Sequence, residues 1–471
     1  MKINREKIDI ICEKIIEYSL YCLVFFLPAS KSMIEICATI ATLAWLVKKI
    51  NNFEQLKTGL RESVFLRITI IISLLLLFPL VVVISSTLST QHMDLSIATP
   101  LSFHTALISS FVAVSVLAII IMSLRYTQHI KHNLKIPVLL FLDITIITSM
   151  FTSQHINISM GAFFFKTLEY LLIFFMMAEV INTRRRLVNI LIALSISSFM
   201  IGLDGIYQVV TKFDFLRGYP LYAGKMTASF QFSNNLGCYL TSILPIAISF
   251  IIQGTTNKKV KVCLIALSIL LLACLLFTRA RGAWLGFIVG LFFVCLFSGK
   301  KALFTAVAFL IILVLFSPAI IKNQFKSFAT LSGDTSTEDR IVIWETGGRM
   351  FKDRPLLGHG LGTFMNVFSR YKPQNYSWVV YAHNCYLQII AEAGIVGLLI
   401  FLWFAFVLIK DAISKLIKCG DKFLKTFLTG LIGGILAYLV HSFFDTNLYS
   451  LPLAVLFWAF AGLAAAKIQS E

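Results

Sequence analysis

Three separated stretches of the sequence carry the residue types that bind and transfer anionic groups. The first is TRARGAWLGF at 278–287, where Arg279 and Arg281 fall in the short break between two apolar runs. An arginine at a helix end facing a cavity between helices is a ready phosphate clamp, because its planar fork offers paired N–H donors. The ordinary alternative is a side chain that snorkels to lipid phosphates at the interface. The second stretch, DRIVIWETGGRMFKDRPLLGHGLGTF at 339–364, puts Arg340 and Trp344 four residues apart. On a helix they share one face, a guanidinium beside an aromatic plate. Arg349, Lys352 and Arg354 of the same stretch read as solvated charges. The third, YAHNCYLQIIAEAGIVGLLIFL at 381–402, sets His383 and Asn384 at the mouth of an apolar run, with Gly394 and Gly397 deeper. Small residues at that spacing suit close helix approach. A histidine at a membrane interface is commonly structural. On the same side as a set of arginines it is also the side chain best suited to general-base work near neutral pH.

The elements that must position these groups are membrane helices. With 58% hydrophobic and only 14% charged residues in 471, the chain is too apolar for a soluble core and shell. Each crossing needs roughly 20 apolar residues, because backbone polar groups cannot stay unpaired in hydrocarbon. About fourteen runs qualify: 15–30, 33–47, 68–88, 106–124, 136–151, 162–182, 187–210, 234–252, 261–278, 282–298, 302–320, 384–409, 424–441 and 450–466. Twelve is the alternative count. The fold class is therefore an all-α polytopic transmembrane helical bundle, a single integral membrane domain over 1–471.

The formal net charge of +18 does not form a nucleic-acid face, which would need a folded soluble domain. Instead the cations cluster in alternate connections: Lys48, Lys49, Lys57, Arg61 and Arg67; Arg125, Lys131 and Lys135; Arg184 to Arg186; Lys258, Lys259 and Lys261; Lys300 and Lys301. The intervening loops at 89–105 and 152–161 contain no Lys or Arg. By the positive-inside bias the basic connections and both termini are cytoplasmic, and the three chemical stretches face outward. No cleavable signal peptide is evident. The nine cysteines form no CxxC pair and read as small buried apolar residues.

Two outward connections are long, 211–233 and 321–383, and function concentrates in such loops. The larger opens with SGDTSTEDR at 332–340, whose N-cap residues predict a helix over IVIWETGGRMF. Pro355, Gly358, Gly360 and Gly362 then mark turns. Asp214, Asp334, Glu338, Asp339, Glu345, Asp353 and Asp445 are not spaced as a hard-cation site, so no metal and no cofactor is expected. No Gly-rich nucleotide loop lies between a strand and a helix.

Taken in order and sidedness, Arg281-x-x-x-Leu285, the Arg340 and Trp344 helix with its Pro-Leu-Leu-Gly-His-Gly-Leu-Gly turn, and His383-Asn384 followed by Gly394-x-x-Gly397 resemble the O-antigen ligase and polymerase superfamily. The segment 203–240 resembles that family's outer loop and following span, so the resemblance covers roughly 150–465. Where similar proteins often carry an arginine ahead of Thr227-Ala228-Ser229-Phe230, this chain has Lys225, which keeps the charge and loses the fork.

The resemblance implies a C-type glycosyltransferase-like helical architecture in a bacterial inner membrane. It implies an undecaprenyl pyrophosphate-linked glycan as donor, and lipid A core or another glycan as acceptor. Transfer would occur on the periplasmic face, amid membrane lipid and without nucleic acid, in an oligomeric state left open. On that footing His383 is the expected general base, and Arg281, Arg340, Arg279, Lys225 and Arg217 are expected around the donor pyrophosphate. Trp344, Asn384 and His359 are expected as supporting residues. Of these His359, Lys225 and Arg217 rank second, as do His441 and Asp445, each more structural than catalytic. A ligase is favoured over an O-antigen or exopolysaccharide polymerase, with a protein-glycosylating transferase also open. A lipid-linked glycan flippase is the alternative of another class. Such a carrier needs charges along a path through the membrane, whereas the intramembrane charges here are few, notably Lys166, Glu169, Glu179 and Asp204.

Overall fold

The computed structural model describes residues 2–52, 130–221, 223–254, 257–302, 304, 335–376 and 381–469. They form thirteen α-helices: α1 (Lys2–Phe26), α2 (Lys31–Asn51), α3 (His132–Phe151), α4 (Ile156–Val180), α5 (Arg184–Thr211), α6 (Ser233–Gly254), α7 (Lys258–Thr278), α8 (Arg281–Ser298), α9 (Thr335–Asp353), α10 (Phe364–Tyr371), α11 (Cys385–Lys418), α12 (Lys422–His441) and α13 (Leu451–Ala465). Among the described residues β-structure is limited to two isolated bridges. The all-α reading is borne out.

Eight of these helices, α3 to α8, α11 and α12, are long and apolar enough to cross a membrane. α1 and α2 fall below that apolarity, and α13, at 15 residues, below that length. The expected runs at 68–88, 106–124 and nearly all of 302–320 lie outside the described residues.

Two rules hold the bundle together. Where helices touch most closely, glycine replaces a side chain: a Cβ on Gly286 would lie 2.5 Å from the Ala437 carbonyl, and one on Gly290 2.6 Å from that of Gly433. α8 and α12 therefore meet backbone to backbone, the close approach that small residues allow in apolar surroundings. Lys166 and Glu169 lie at a π-helical stretch, Phe163–Leu168, within α4. The wider turn takes them out of the register in which residues three apart face each other.

Charge sorts the two ends of the bundle. Lys48 and Arg186 both pair with Glu13, at 2.9 and 2.7 Å, and Lys49 holds the buried Glu179 at 2.8 Å. Arg184 pairs with Asp421 and Lys131 with Asp411, each at 3.7 Å. The basic ends of α2, α3 and α5 thus share one face with the acidic groups of their neighbours. Gln469 also lies on that face, its N–H donating to Asn182 at 2.9 Å. The functional stretches lie at the opposite ends of the helices.

There the first long loop, 211–233, is laid against the α1–α2 turn. Buried Gln208 organises it, accepting from the N–H groups of Thr227 and Ala228 at 2.9 Å each and donating to the Tyr219 carbonyl at 3.0 Å. The second unit at that end is a small cap of α9, α10 and the first turns of α11. It has its own apolar cluster of Ile343, Met350, Phe364, Val367, Phe368, Ala382 and Ala391. α9 covers the helix expected over IVIWETGGRMF and begins six residues earlier, at Thr335.

α11 is broken at Gly394, whose φ is 67°. Into that break docks the Gly-rich turn, main chain to main chain. His359 N–H donates to Ala391 O at 3.0 Å, Gly360 N–H to Glu392 O at 2.9 Å, and Ile395 N–H to Pro355 O at 2.8 Å. The close approach expected of Gly394 is thus to a loop backbone and not to another helix. A Cβ there would meet the Leu356 carbonyl oxygen at 2.0 Å.

Candidate functional site

Arg279 and Arg281 sit on a tight corner between α7 and α8. Thr278 makes the corner: its hydroxyl donates to Leu275 O at 2.7 Å and accepts from Ala280 N–H at 3.2 Å. Arg279 closes α7 in the left-handed conformation with φ 52°, and Arg281 opens α8. A side chain other than glycine held there costs on the order of 1 kcal/mol, the kind of strain that marks a constrained site. The first turn of α8 adds the partial positive charge of a helix N-terminus, so corner and arginine together favour an anion. Met226 N–H donates to Phe277 O at 3.1 Å, which lays Lys225 and its loop along the same helix end.

Gly282, next to Arg281, carries no Cβ because Phe444 occupies the space; a Cβ would lie 2.6 Å from that of Phe444. The corner is thereby pressed against the segment leaving α12. From the other side α9 reaches the same place. Trp344 donates through Nε1 to Ala382 O at 3.0 Å, and its ring stands edge-on to Phe443 at 5.8 Å. Arg340, one turn earlier on that face, lies close enough for its charge to act on His441.

His383 lies between these elements. Asn384 caps α11, accepting from Tyr386 N–H at 2.9 Å and Leu387 N–H at 3.1 Å, so the helix begins immediately after the histidine. Cys385 N–H donates to Ser442 O at 2.8 Å, which clamps that helix start to the end of α12. His383 itself is left-handed, φ 47°. Its Nδ1 lies 3.1 Å from Asp445 Oδ1, with side chains 38% and 9% exposed respectively. A carboxylate only accepts, so Nδ1 is the donor. In the neutral ring the lone pair then belongs to Nε2, the orientation a general base requires.

Burial alone would raise the Asp445 carboxyl. The His383 hydrogen bond and charge, with His441 and the Thr446 N–H, outweigh it and hold the group down at about 2, against an ordinary 3.8. A depressed carboxyl stabilises the fold above its unfolded value and loses that contribution as pH falls through the folded one. The melting temperature of the detergent-solubilised protein should therefore exceed that of Asp445→Asn at neutral pH. The gap should close between about pH 4 and pH 2. A gap of constant size down to pH 2 would separate Asp445 from this role.

Two of the expected residues are occupied elsewhere. Arg217 donates through Nε and Nη2 to Ala29 O, at 3.0 and 2.9 Å, and stapling the first long loop to the α1–α2 turn is what it does here. His359 is buried under the Gly-rich turn with Nε2 3.0 Å from Met350 O, and burial pushes its imidazole below the usual histidine range. It holds the turn to α9 and does not meet His383. Asp445, ranked low from sequence, is the direct partner of His383. Its signal was a carboxylate four residues past His441, just beyond the end of an apolar run.

Residues 266–402 match the family model described as O-Antigen ligase. No curated protein matches the chain. The matched stretch runs from α7 into α11 and carries Arg279, Arg281, Arg340, Trp344, His359, His383 and Asn384. That family is one of membrane glycosyltransferase-like enzymes of ligase or polymerase type, and the eight described helices long and apolar enough to cross a membrane agree with it. Over the stretch that supplies Arg281, Arg340 and His383, the chain is therefore similar to the O-antigen ligase family, as its motifs foretell.

Proposed function

We propose that the chain is an O-antigen ligase-like glycosyltransferase that moves glycan from undecaprenyl pyrophosphate to a sugar hydroxyl of lipid A core. The observation that carries this reading is the His383–Asp445 contact, built where the arginine corner and α9 meet. His383 Nε2 takes the proton of the acceptor hydroxyl. The acceptor oxygen attacks the anomeric carbon as the bond to the pyrophosphate oxygen breaks. The electron pair of that bond leaves with undecaprenyl pyrophosphate, and Asp445 stabilises the imidazolium formed.

Negative charge grows on the leaving phosphate during this step, so cations fixed beside it lower the barrier selectively. Arg281 and Arg340 serve there, with Arg279 and Lys225 around them. They supply the charge a metal would otherwise provide, so transfer should continue in excess chelator. The basic helix ends face the cytoplasm by the positive-inside bias, which puts the site on the periplasmic face of the inner membrane and both termini inside.

Transfer from purified lipid-linked donor in detergent tests the reading, since a flippase makes no product there. Arg281→Ala and Arg340→Ala should each lower kcat/KM about 100-fold, with a weaker donor complex. Unchanged donor affinity in both variants would detach the arginines from the pyrophosphate. Deletion in the source organism separates the acceptors: unattached surface glycan indicates a ligase, products one repeat long a polymerase.

A further inference from the structure

One more carboxylate stands behind the site, and the proposed reaction does not use it. Glu392 is fully buried in α11, two residues before the break at Gly394. Each of its oxygens accepts two hydrogen bonds. Oε1 receives Phe364 N–H and Gln388 Nε2, both at 3.2 Å; Oε2 receives Gly362 N–H at 2.8 Å and the Tyr449 hydroxyl at 3.1 Å. The donors come from the Gly-rich turn, from α11 itself and from the segment that follows α12.

Two of those four partners lead to the site. Gln388 turns its carbonyl oxygen to Ala382 N–H, at 3.4 Å, one residue ahead of His383. Tyr449 lies four residues past Asp445, in the short 3₁₀ turn Asn447–Tyr449. A buried carboxylate is costly, and well-packed apolar residues would stabilise such a corner as well or better. What it adds is direction, because it accepts on both oxygens and cannot accommodate an acceptor turned toward it.

Resting on the reading of His383 as base, we propose that Glu392 is a positioning residue. Through Gln388 it fixes the strained main chain carrying His383, and through Tyr449 the segment carrying Asp445, so that imidazole and carboxylate are aligned from one point. An amide in its place puts an NH₂ against N–H donors and releases one of the two tethers.

The test is steady-state transfer by Glu392→Gln, Gln388→Met and His383→Ala, each purified as a monodisperse folded species. Glu392→Gln and Gln388→Met should lower kcat about 10- to 100-fold, with donor KM within about twofold, because misalignment of about 1 Å costs rate more than binding. A role in folding alone would reduce the yield and leave kcat of the folded fraction unchanged. Should Glu392→Gln not be recovered folded, Gln388→Met decides, since it cuts the link to Ala382 and leaves the other three bonds of the carboxylate. Wild-type kcat in Gln388→Met and in any folded Glu392→Gln, beside an inactive His383→Ala, overturns the positioning role alone. Wild-type activity of His383→Ala overturns the base reading on which it rests.

Discussion

His383→Ala should transfer glycan about 10³- to 10⁴-fold more slowly than the parent enzyme while binding lipid-linked donor almost as well. The reason is a division of labour. On the proposed reading the imidazole meets the acceptor hydroxyl only while its proton is leaving, whereas the donor pyrophosphate falls to Arg281 and Arg340 on other helices. An interaction made only in the transition state lowers kcat and kcat/KM together and leaves ground-state affinity in place. The measurement is transfer rate and donor affinity on one preparation, with retained folding shown by an unchanged melting temperature. A variant that keeps the parental rate would remove the general base, and one that binds no donor would move His383 into the binding machinery.

Gly394→Ala should fail at an earlier stage, in the fold itself. The added Cβ would overlap the main chain of Leu356, 2.0 Å from its oxygen and 2.2 Å from its carbonyl carbon, at a φ of 67° that L-residues rarely adopt. The left-handed conformation alone costs on the order of 1–2 kcal/mol. The clash adds more, since backbone cannot rotate away as a side chain can, and a total above about 4 kcal/mol is reasonable. The Gly-rich turn should undock, taking with it the helix start that presents His383. Size-exclusion with a fluorescence melt reads this directly, and a melting temperature within about 2 °C of the parent would mean that the break does not need glycine. Gly348, where a Cβ would meet nothing within 4 Å, gives the control: Gly348→Ala should leave both fold and rate near normal.

The bundle was legible where apolarity decides structure. The run at 261–278 became Lys258–Thr278, the run at 282–298 became Arg281–Ser298, and the run at 187–210 became Arg184–Thr211. Hydrophobic length is a property of the segment alone, so the sequence suffices for it. Features set by distant contacts were not legible. Gly394 and Gly397 have the spacing of a helix crossing, yet Gly394 breaks α11 because a loop some forty residues earlier in the chain docks there. The helix crossings fall instead at Gly286, Gly290, Gly433 and Gly434. In the site, the three chemical stretches were identified from residue type and sidedness. Which cation is free to meet a ligand depends on what lies opposite it: nothing in the string LRGYP tells that Arg217 faces Ala29 O. Asp445 ranks low in the sequence and Glu392 does not stand out there for the same reason, since a carboxylate's partners are visible only in the donors that surround it.

The docking of the Gly-rich turn into the break of α11 is made almost entirely of main-chain atoms and one glutamate. Main-chain bonds survive changes of side chain, so the cap is a graftable module: exchanged between homologues at residues 335 and 396, it should seat correctly so long as its glycines, Gly394 among them, and Glu392 travel with it. A lineage with such a joint can reshape the surface of its cap without rebuilding the helices beneath.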